Sequence, residues 1–543
     1  MARSTHTVTN QPPPLVGYDV FTSDHVLTSA VERHLAPALH DEVHGDLTAL
    51  GRACGSAQVQ EWGAQANENP PRLRTHDRYG HRVDEVEFHP AWHRLLGKGV
   101  AAGLTAAWGR PCGHVRRAAA FLLWTQVDAG NLCPLSMTHA AVPALRTDPE
   151  LAAEWEPRLT STVYDRDLRP AHLKAGALFG MGMTEKQGGS DVRANTTAAR
   201  PLAQDGTYEL TGHKWFCSAP MSDGFLVLAQ APDGLTCFLV PRVLEDGARN
   251  DFRLQRLKDK LGNRSNASAE VEFDGAWARR VGEEGRGVRT IIDMVAATRL
   301  DCVLGSAGLM RQAVAQAVHH CTHREAFGAK LVEKPLMRNV LADLAVESEA
   351  ATTLALRLAA AYDDGGEQER ALLRIAVPAA KYWVTKRCAA VTVEAAECLG
   401  GNGYVEESGL PRLVREAPLN SIWEGAGNVQ ALDVLRVLRR EPEALHAYLQ
   451  EVGRARGADH RLDGAIKNLL TELADLEGIE GRARRLTERL ALVLQGSLLV
   501  RFAPPEVADA FCASRLAGDT GTTFGTLPST LTHTTIVTRA RPT

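Results

Sequence analysis

The chain has 543 residues, too many for one small module, and its 44% hydrophobic and 23% charged residues supply ample core, which excludes a mainly disordered protein. A net charge of -4 excludes attraction to nucleic acid by a global field, so any such binding needs a local basic patch. The ten cysteines are scattered with no CxxC pair, the opening MARSTHTVTNQPPPL has no apolar core, and no apolar run approaches the roughly 18 residues of a membrane span. A soluble cytoplasmic protein with reduced thiols and no membrane partner is expected.

Residues 1–24 are polar and interrupted by Pro12, Pro13 and Pro14, which predicts an extended arm. Over 25–180 the apolar spacing is mostly helical, as in Ala118 to Trp124, with breakers at Asn69-Pro70-Pro71 and Cys133-Pro134, and a helical domain is expected. Across 181–282 the pattern changes to short β-like runs, TYELTGHKWF, GFLVLAQA, GLTCFLVPR and AEVEF, which predict a small β domain. Helical periodicity returns over 283–444, broken at Asp363-Asp364-Gly365-Gly366 and Gly400-Gly401-Asn402-Gly403, as in a bundle of long helices. Residues 445–543 read as a further helical domain whose Gly-, Thr- and Ser-rich end after Leu516 is expected to be loosely ordered. The fold class is mainly α with a central β domain.

The chain holds neither a GxxxxGK[ST] loop nor an HExxH helix, and Gly180-Met181-Gly182 is no dinucleotide fingerprint because its third glycine position is Glu185. His319-His320-Cys321-Thr322-His323 reads as an exposed polar turn, and no metal is assigned. Two segments are dense in special residues. Met183 to Asp191 flanks paired glycines with hydroxyls, which permits close backbone approach to a ligand. Trp423-Glu424-Gly425-Ala426-Gly427-Asn428 sets a carboxylate between an aromatic ring and two glycines before the helical stretch from Val429. Taken singly, each reads as a turn or a helix start.

Taken together, in this order and spacing, these segments resemble the acyl-CoA dehydrogenase flavoenzyme family. The runs THTVTNQP, FHPAWH at 88–93, GMGMTEKQGGSDV at 180–192, LKDKLGNRSNAS at 257–268, and NSIWEG with LDVLRVL resemble the branch of that family induced by DNA alkylation damage. The resemblance implies an N-terminal helical domain, a β-barrel-like domain, a helical bundle holding FAD, and an extra C-terminal helical domain. It implies that Thr184 and Ser190 bind the flavin beside Gly189, with Met183 close to the ring, and that Phe216 and Ser218 stand where the family has Trp and Thr, with neighbouring Trp215 as the other candidate for the aromatic place. Arg324 and Phe327 match residues that reach the FAD of a neighbouring subunit, which implies an oligomer, most commonly a homotetramer. Glu397 replaces the Gln that precedes the family's glycine turn at Gly401, and an acid beside a pyrophosphate is repulsive unless protonated or turned away, so weaker FAD affinity is expected. Trp423, Ala426 and Asn428 fall at flavin-touching positions. Glu424 holds the position of the catalytic base, which takes the acyl α-proton; the other position used in the family, before Arg299, is Thr298.

Two functions follow. One is an FAD-containing protein of the alkylation response that binds double-stranded DNA without sequence preference and keeps weak acyl-CoA dehydrogenase chemistry. The other is a genuine dehydrogenase of a short or branched acyl-CoA whose C-terminal domain serves oligomerisation. Charge in 445–543 is nearly balanced, so DNA contact is expected to rest on Arg436, Arg439 and Arg440 at one helix end and on Arg482, Arg485 and Arg489 at i, i+3, i+7 spacing.

Overall fold

The computed structural model describes residues 5–203, 205–475 and 477–542. The chain forms two compact units, Met1–Ala57 with Cys302–Thr543, and Gln58–Asp301.

In the Gln58–Asp301 unit the helices Gly113–Thr125 and Ala129–Leu145 are buried along almost their whole length; the second is mostly apolar, and the first takes Arg117 inside by pairing it with Asp301 at 2.6 Å. Asp128 starts the second of these by accepting from the Asn131 N–H at 2.9 Å, and Ser265 and Asn67 donate to the same carboxylate. Pro134, expected to break the chain, sits inside this helix; burial on all sides outweighs a cost of about 3 kcal/mol for an internal proline. The helical reading of 25–180 also leaves out a hairpin, β1 (Arg72–His76) with β2 (Arg82–Glu87). Charged residues fill the outward positions there, and only Asp84 and Val86 of β2 are buried, so the period-2 apolar signal is faint.

The same unit contains a seven-stranded sheet. Its strands are β3 (Phe179–Gly182), β4 (Ala198–Pro201), β5 (Thr207–Ser218), β6 (Gly224–Ala231), β7 (Gly234–Pro241), β8 (Phe252–Leu257) and β9 (Ser268–Val281). The order β6-β4-β5-β9-β7 closes on itself through β6–β7 pairing, which leaves β3 on β6 and β8 on β9 as additions to a barrel. Inside it lie Leu210, Phe225, Val227, Phe238, Phe252, Val271 and Phe273, with Phe225 and Phe252 ring centroids 4.7 Å apart. The β-like runs read from the sequence are β5, β6, β7 and β9; β3, β4 and β8 are short or charged and carry little period-2 signal.

The other unit is helical. Pro335–Asp364 and Glu367–Cys398 are joined at Gly365, whose φ of 61° is the left-handed helix stop that the paired glycines predict. Residues 445–543, read as a domain of their own, belong to this unit. The tail after Leu516 is tied down: His533–Ala540 is a helix packed on Pro335–Asp364, Arg539 pairs with Glu349 at 3.1 Å, and the Gly525 N–H donates to Asp343 at 3.0 Å. A sequence of Gly, Thr and Ser conceals this because its partners are buried carboxylates about 180 residues earlier. His320, Cys321 and Thr322, expected in an exposed turn, are buried in the helix Gly287–His323. Among the described residues no helix is long and apolar enough to cross a membrane.

Candidate functional site

The loop after β3 is built around a carboxylate. Glu185 is fully buried and accepts from Lys214 Nζ at 2.8 Å and from the N–H and hydroxyl groups of Thr196 and Thr197 at 2.6–3.0 Å. Burial pushes its carboxyl up, but the Lys214 ammonium and the threonine donors outweigh that and hold it at about 2. With Glu185 fixed, the residues on either side are presented outward: Thr184 and Met183 are half-buried and Ser190 is exposed. Gly189 lies so close to Thr184 that a Cβ there would stand 2.4 Å from the Thr184 hydroxyl, so only glycine lets the loop fold over it.

β5 delivers the next residues. The Trp215 N–H donates to the Thr184 carbonyl at 2.8 Å, which joins strand to loop. Lys258 Nζ sits 3.2 Å from the Trp215 ring centroid and 4.8 Å from that of Phe216, so one cation serves both rings, and Phe216 is 51% exposed. Ser218 is half-buried, with its hydroxyl 3.1 Å from that of Ser268.

The remaining candidates lie in the helical unit. Glu424 has φ 57° and Gly425 φ 92°, so a bulky residue occupies left-handed backbone at the entry to the helix Gly427–Arg440. Such strain persists only where surroundings enforce it. Gln430 Nε2 donates to the carbonyls of Glu424 and Gly425 at 3.0 and 2.8 Å, and buried Lys381 donates to Gly425 O at 2.8 Å. Trp423 Nε1 donates to Asn420, itself bonded to Ser306. Ala426 and Asn428 are exposed, and the helix they open has no side-chain cap, which leaves its first N–H groups to other acceptors. Glu397 and Gly401 are exposed, and a Cβ added at Gly401 would meet nothing within 4 Å. Thr298 and Arg299 are both buried.

Arg324 precedes a hairpin, β10 (Glu325–Ala326) and β11 (Ala329–Lys330), whose two-residue turn is Phe327-Gly328 with φ 51° and 75°. Two positive φ values define the tight turn that prefers Asn-Gly, yet Phe327 stands there 98% exposed. The N-terminal arm is stitched to this hairpin: Asn10 exchanges hydrogen bonds with the Glu325 backbone at 2.7 and 2.8 Å, Arg324 donates to Asn10 O, and His319 bonds Pro13 O at 2.8 Å.

The arginines proposed from spacing are mostly engaged. Arg485 and Arg489 both pair with Glu472, Arg482 pairs with Asp475 at 3.0 Å, and Arg436 lies 3.5 Å from Asp433. Arg439 and Arg440 are exposed at the helix end. Sequence reasoning misses Glu185, Lys214, Asn10 and Lys381 as site-building residues. Lys214 alone carries a signal, a charge at an inward position of β5 in register with buried Tyr208 and Leu210.

The chain belongs to the acyl-CoA dehydrogenase family. Three family descriptions divide it: adaptive response protein AidB N-terminal domain over residues 10–166, acyl-CoA dehydrogenase middle domain over 180–276, and acyl-CoA dehydrogenase C-terminal domain over 285–439. It is 46% identical over 514 residues to the putative acyl-CoA dehydrogenase AidB of Escherichia coli K12, spanning 94% of each chain. It is 32% identical to acyl-CoA dehydrogenase family member 11 of Caenorhabditis elegans, over 89% of this chain and 84% of that one. The crystal structure of C. elegans ACDH-11 in complex with C11-CoA matches with a TM-score of 0.86 at 29% identity, covering 95% of this chain and 94% of the other. Acyl-CoA dehydrogenases bind FAD.

Proposed function

We propose that the protein binds FAD, keeps slow acyl-CoA dehydrogenase chemistry, and binds double-stranded DNA without sequence preference in the response to DNA alkylation damage. The observation that carries this reading is the 46% identity to AidB along 94% of both chains, joined to a carboxylate retained at Glu424.

Each unit by itself offers groups that suit a flavin nucleotide. In the Gln58–Asp301 unit Thr184, Ser190 and Ser218 offer hydroxyls for a polar ring edge, Phe216 offers aromatic surface and Met183 a soft contact. In the other unit Trp423 offers aromatic surface and the uncapped N–H groups from Ala426 to Asn428 suit an anion. Gly401, where a Cβ would meet nothing within 4 Å, leaves its backbone open to close approach, and Gly189 lets the loop fold over Thr184. When bound, FAD supplies the acceptor for a hydride from the acyl β-carbon. The Glu424 carboxylate takes the α-proton, on a backbone held by Gln430 and Lys381. An acyl-CoA as substrate is supported by the C. elegans relative, which was crystallised with C11-CoA. A homotetramer is supported by Phe327, Tyr404, Val393 and Ile422, large apolar side chains that are 54–98% exposed in the single chain and suit the surface of another copy. Arg324 and Phe327 serve the neighbour's cofactor in this reading, and Glu397 weakens affinity near its phosphates.

A second reading, a genuine dehydrogenase whose last helices serve assembly, is favoured by the carboxylate partners of Arg482, Arg485 and Arg489. Acyl-CoA turnover and duplex-DNA affinity measured on one purified sample separate the two. Flavin-bound protein that shifts DNA near physiological salt and turns over slowly supports the first; fast turnover without DNA binding overturns it.

A further inference from the structure

The N-terminal arm and the hairpin after Arg324 belong to one unit, and the arm reaches the hairpin from a fixed base. Gly17 and Val20 donate to the carbonyls of Gly55 and Gly51 at 2.7 and 3.2 Å. Buried Arg311 pairs with Asp24 at 3.0 Å and donates to Ala540 O at 2.9 Å. Ahead of this base Pro12, Pro13 and Pro14 restrict the backbone and stiffen the arm, and His319 bonds Pro13 O at 2.8 Å. Asn10 is thereby presented by a braced segment.

The chemistry of asparagine matches what Asn10 meets. Its φ of 56° lies in the left-handed region, which asparagine enters more readily than most residues. Its amide copies a peptide group: Oδ1 accepts from the Glu325 N–H at 2.7 Å and Nδ2 donates to Glu325 O at 2.8 Å, so both backbone groups of Glu325 are engaged by one side chain. The Asn10 carbonyl accepts from Arg324 Nη1. The hairpin has two residues in each strand, too few to keep its place unaided. The Leu331 N–H on Arg324 O and Lys334 Nζ on Phe327 O, both at 2.9 Å, hold it to its own chain, and Asn10 ties it to the arm.

Arg324 is held without being consumed. Its guanidinium carries several N–H donors in a rigid fork; Asn10 takes one, and among the described residues no carboxylate pairs with it. A free arginine gives up rotamer freedom when it grips an anion, and one already held gives up less.

We propose that Asn10 is a positioning residue for FAD: by tying down Glu325 and one N–H of Arg324, it pre-orders the guanidinium for the cofactor phosphates of a neighbouring copy. This rests on the reading of Arg324 given under the proposed function. Asn10 acts on the cofactor only through Arg324.

Asn10→Gly, Arg324→Ala and the double variant, each as the full-length chain stripped of flavin, are titrated with FAD. Glycine accepts the left-handed backbone and removes both amide contacts, and position 10 is exposed, so the variant keeps its fold. FAD affinity is expected to fall about ten-fold in Asn10→Gly and about a hundred-fold in Arg324→Ala, with the double variant matching Arg324→Ala. In the flavin-free protein the Glu325 amide hydrogen is expected to exchange at least about ten times faster in Asn10→Gly. If Arg324→Ala weakens FAD but Asn10→Gly changes neither affinity nor exchange, the positioning role is overturned and that of Arg324 stands. A double variant weakened by the product of the single effects also overturns it, because a general loosening acts with or without Arg324. Unchanged affinity in Arg324→Ala overturns the reading of Arg324 itself, and the role of Asn10 falls with it.

Discussion

Lys214 Nζ lies 2.8 Å from Glu185 with neither side chain exposed, and this pair anchors the loop that carries Thr184 and Ser190. Lys214 also donates to Leu228 O at 2.7 Å, so one ammonium binds the loop to two strands of the barrel. Removing one partner of such a pair leaves a buried charge uncompensated, at a cost of about 3–5 kcal/mol. Lys214→Met should therefore lower the denaturation midpoint and release flavin. A variant with unchanged stability would show that the pair is not what fixes the loop.

The same pair sets a pH dependence. Glu185 is held at about 2, below its ordinary 4.5, so the folded state favours the ionised form. Its stabilisation is complete above about pH 4.5 and fades as pH falls from there through about 2. Denaturant midpoints measured from about pH 7 to about pH 2.5 should drop in wild type. The charge-free double variant Glu185→Gln with Lys214→Met should show a shallower drop over that window.

Much of this frame is legible in the sequence. Four barrel strands and the join at Gly365 follow from short β-like runs bounded by turn residues and from glycine placement, because both are local signals. The tail is not legible, since Gly525, Leu527 and Arg539 become ordered only through Asp343, Asn339 and Glu349 far back in the chain. At the candidate site the motif residues are visible as types, but the left-handed backbone at Glu424 and Phe327 is hidden, because neither residue favours it. The arginine stripe is visible as spacing, and Glu472 and Asp475, which sit against it, are not.

Phe327→Gly separates strain from use. Glycine relieves the positive φ and should stabilise the isolated chain by about 1 kcal/mol. If Phe327 meets another copy, the same change should shift the mass toward smaller species at micromolar concentration. Light scattering and thermal melts on one sample read both effects, and a stabilised variant with unchanged mass would remove Phe327 from the interface.

Glu424→Gln keeps the shape of the side chain and removes its ability to take a proton. Flavin reduction by a short branched acyl-CoA should fall by at least about a hundred-fold, with the flavin absorption of the resting protein retained. Equal rates in the two proteins would assign the residual reduction to another group.

The carboxylates beside the arginine stripe give the sharpest test of DNA binding. If Arg482, Arg485 and Arg489 track phosphates, DNA must compete with Glu472 and Asp475 for them. Glu472→Gln frees Arg485 and Arg489 and removes a negative charge, so duplex affinity should rise. The Arg482, Arg485 and Arg489 triple Ala variant should bind more weakly, its slope of log affinity against log salt shallower by about 0.9 for each phosphate no longer neutralised. Neither change should alter the flavin spectrum. If both variants bind DNA like wild type, the three arginines are an ion-paired helix face, and the exposed Arg439 and Arg440 become the next pair to replace.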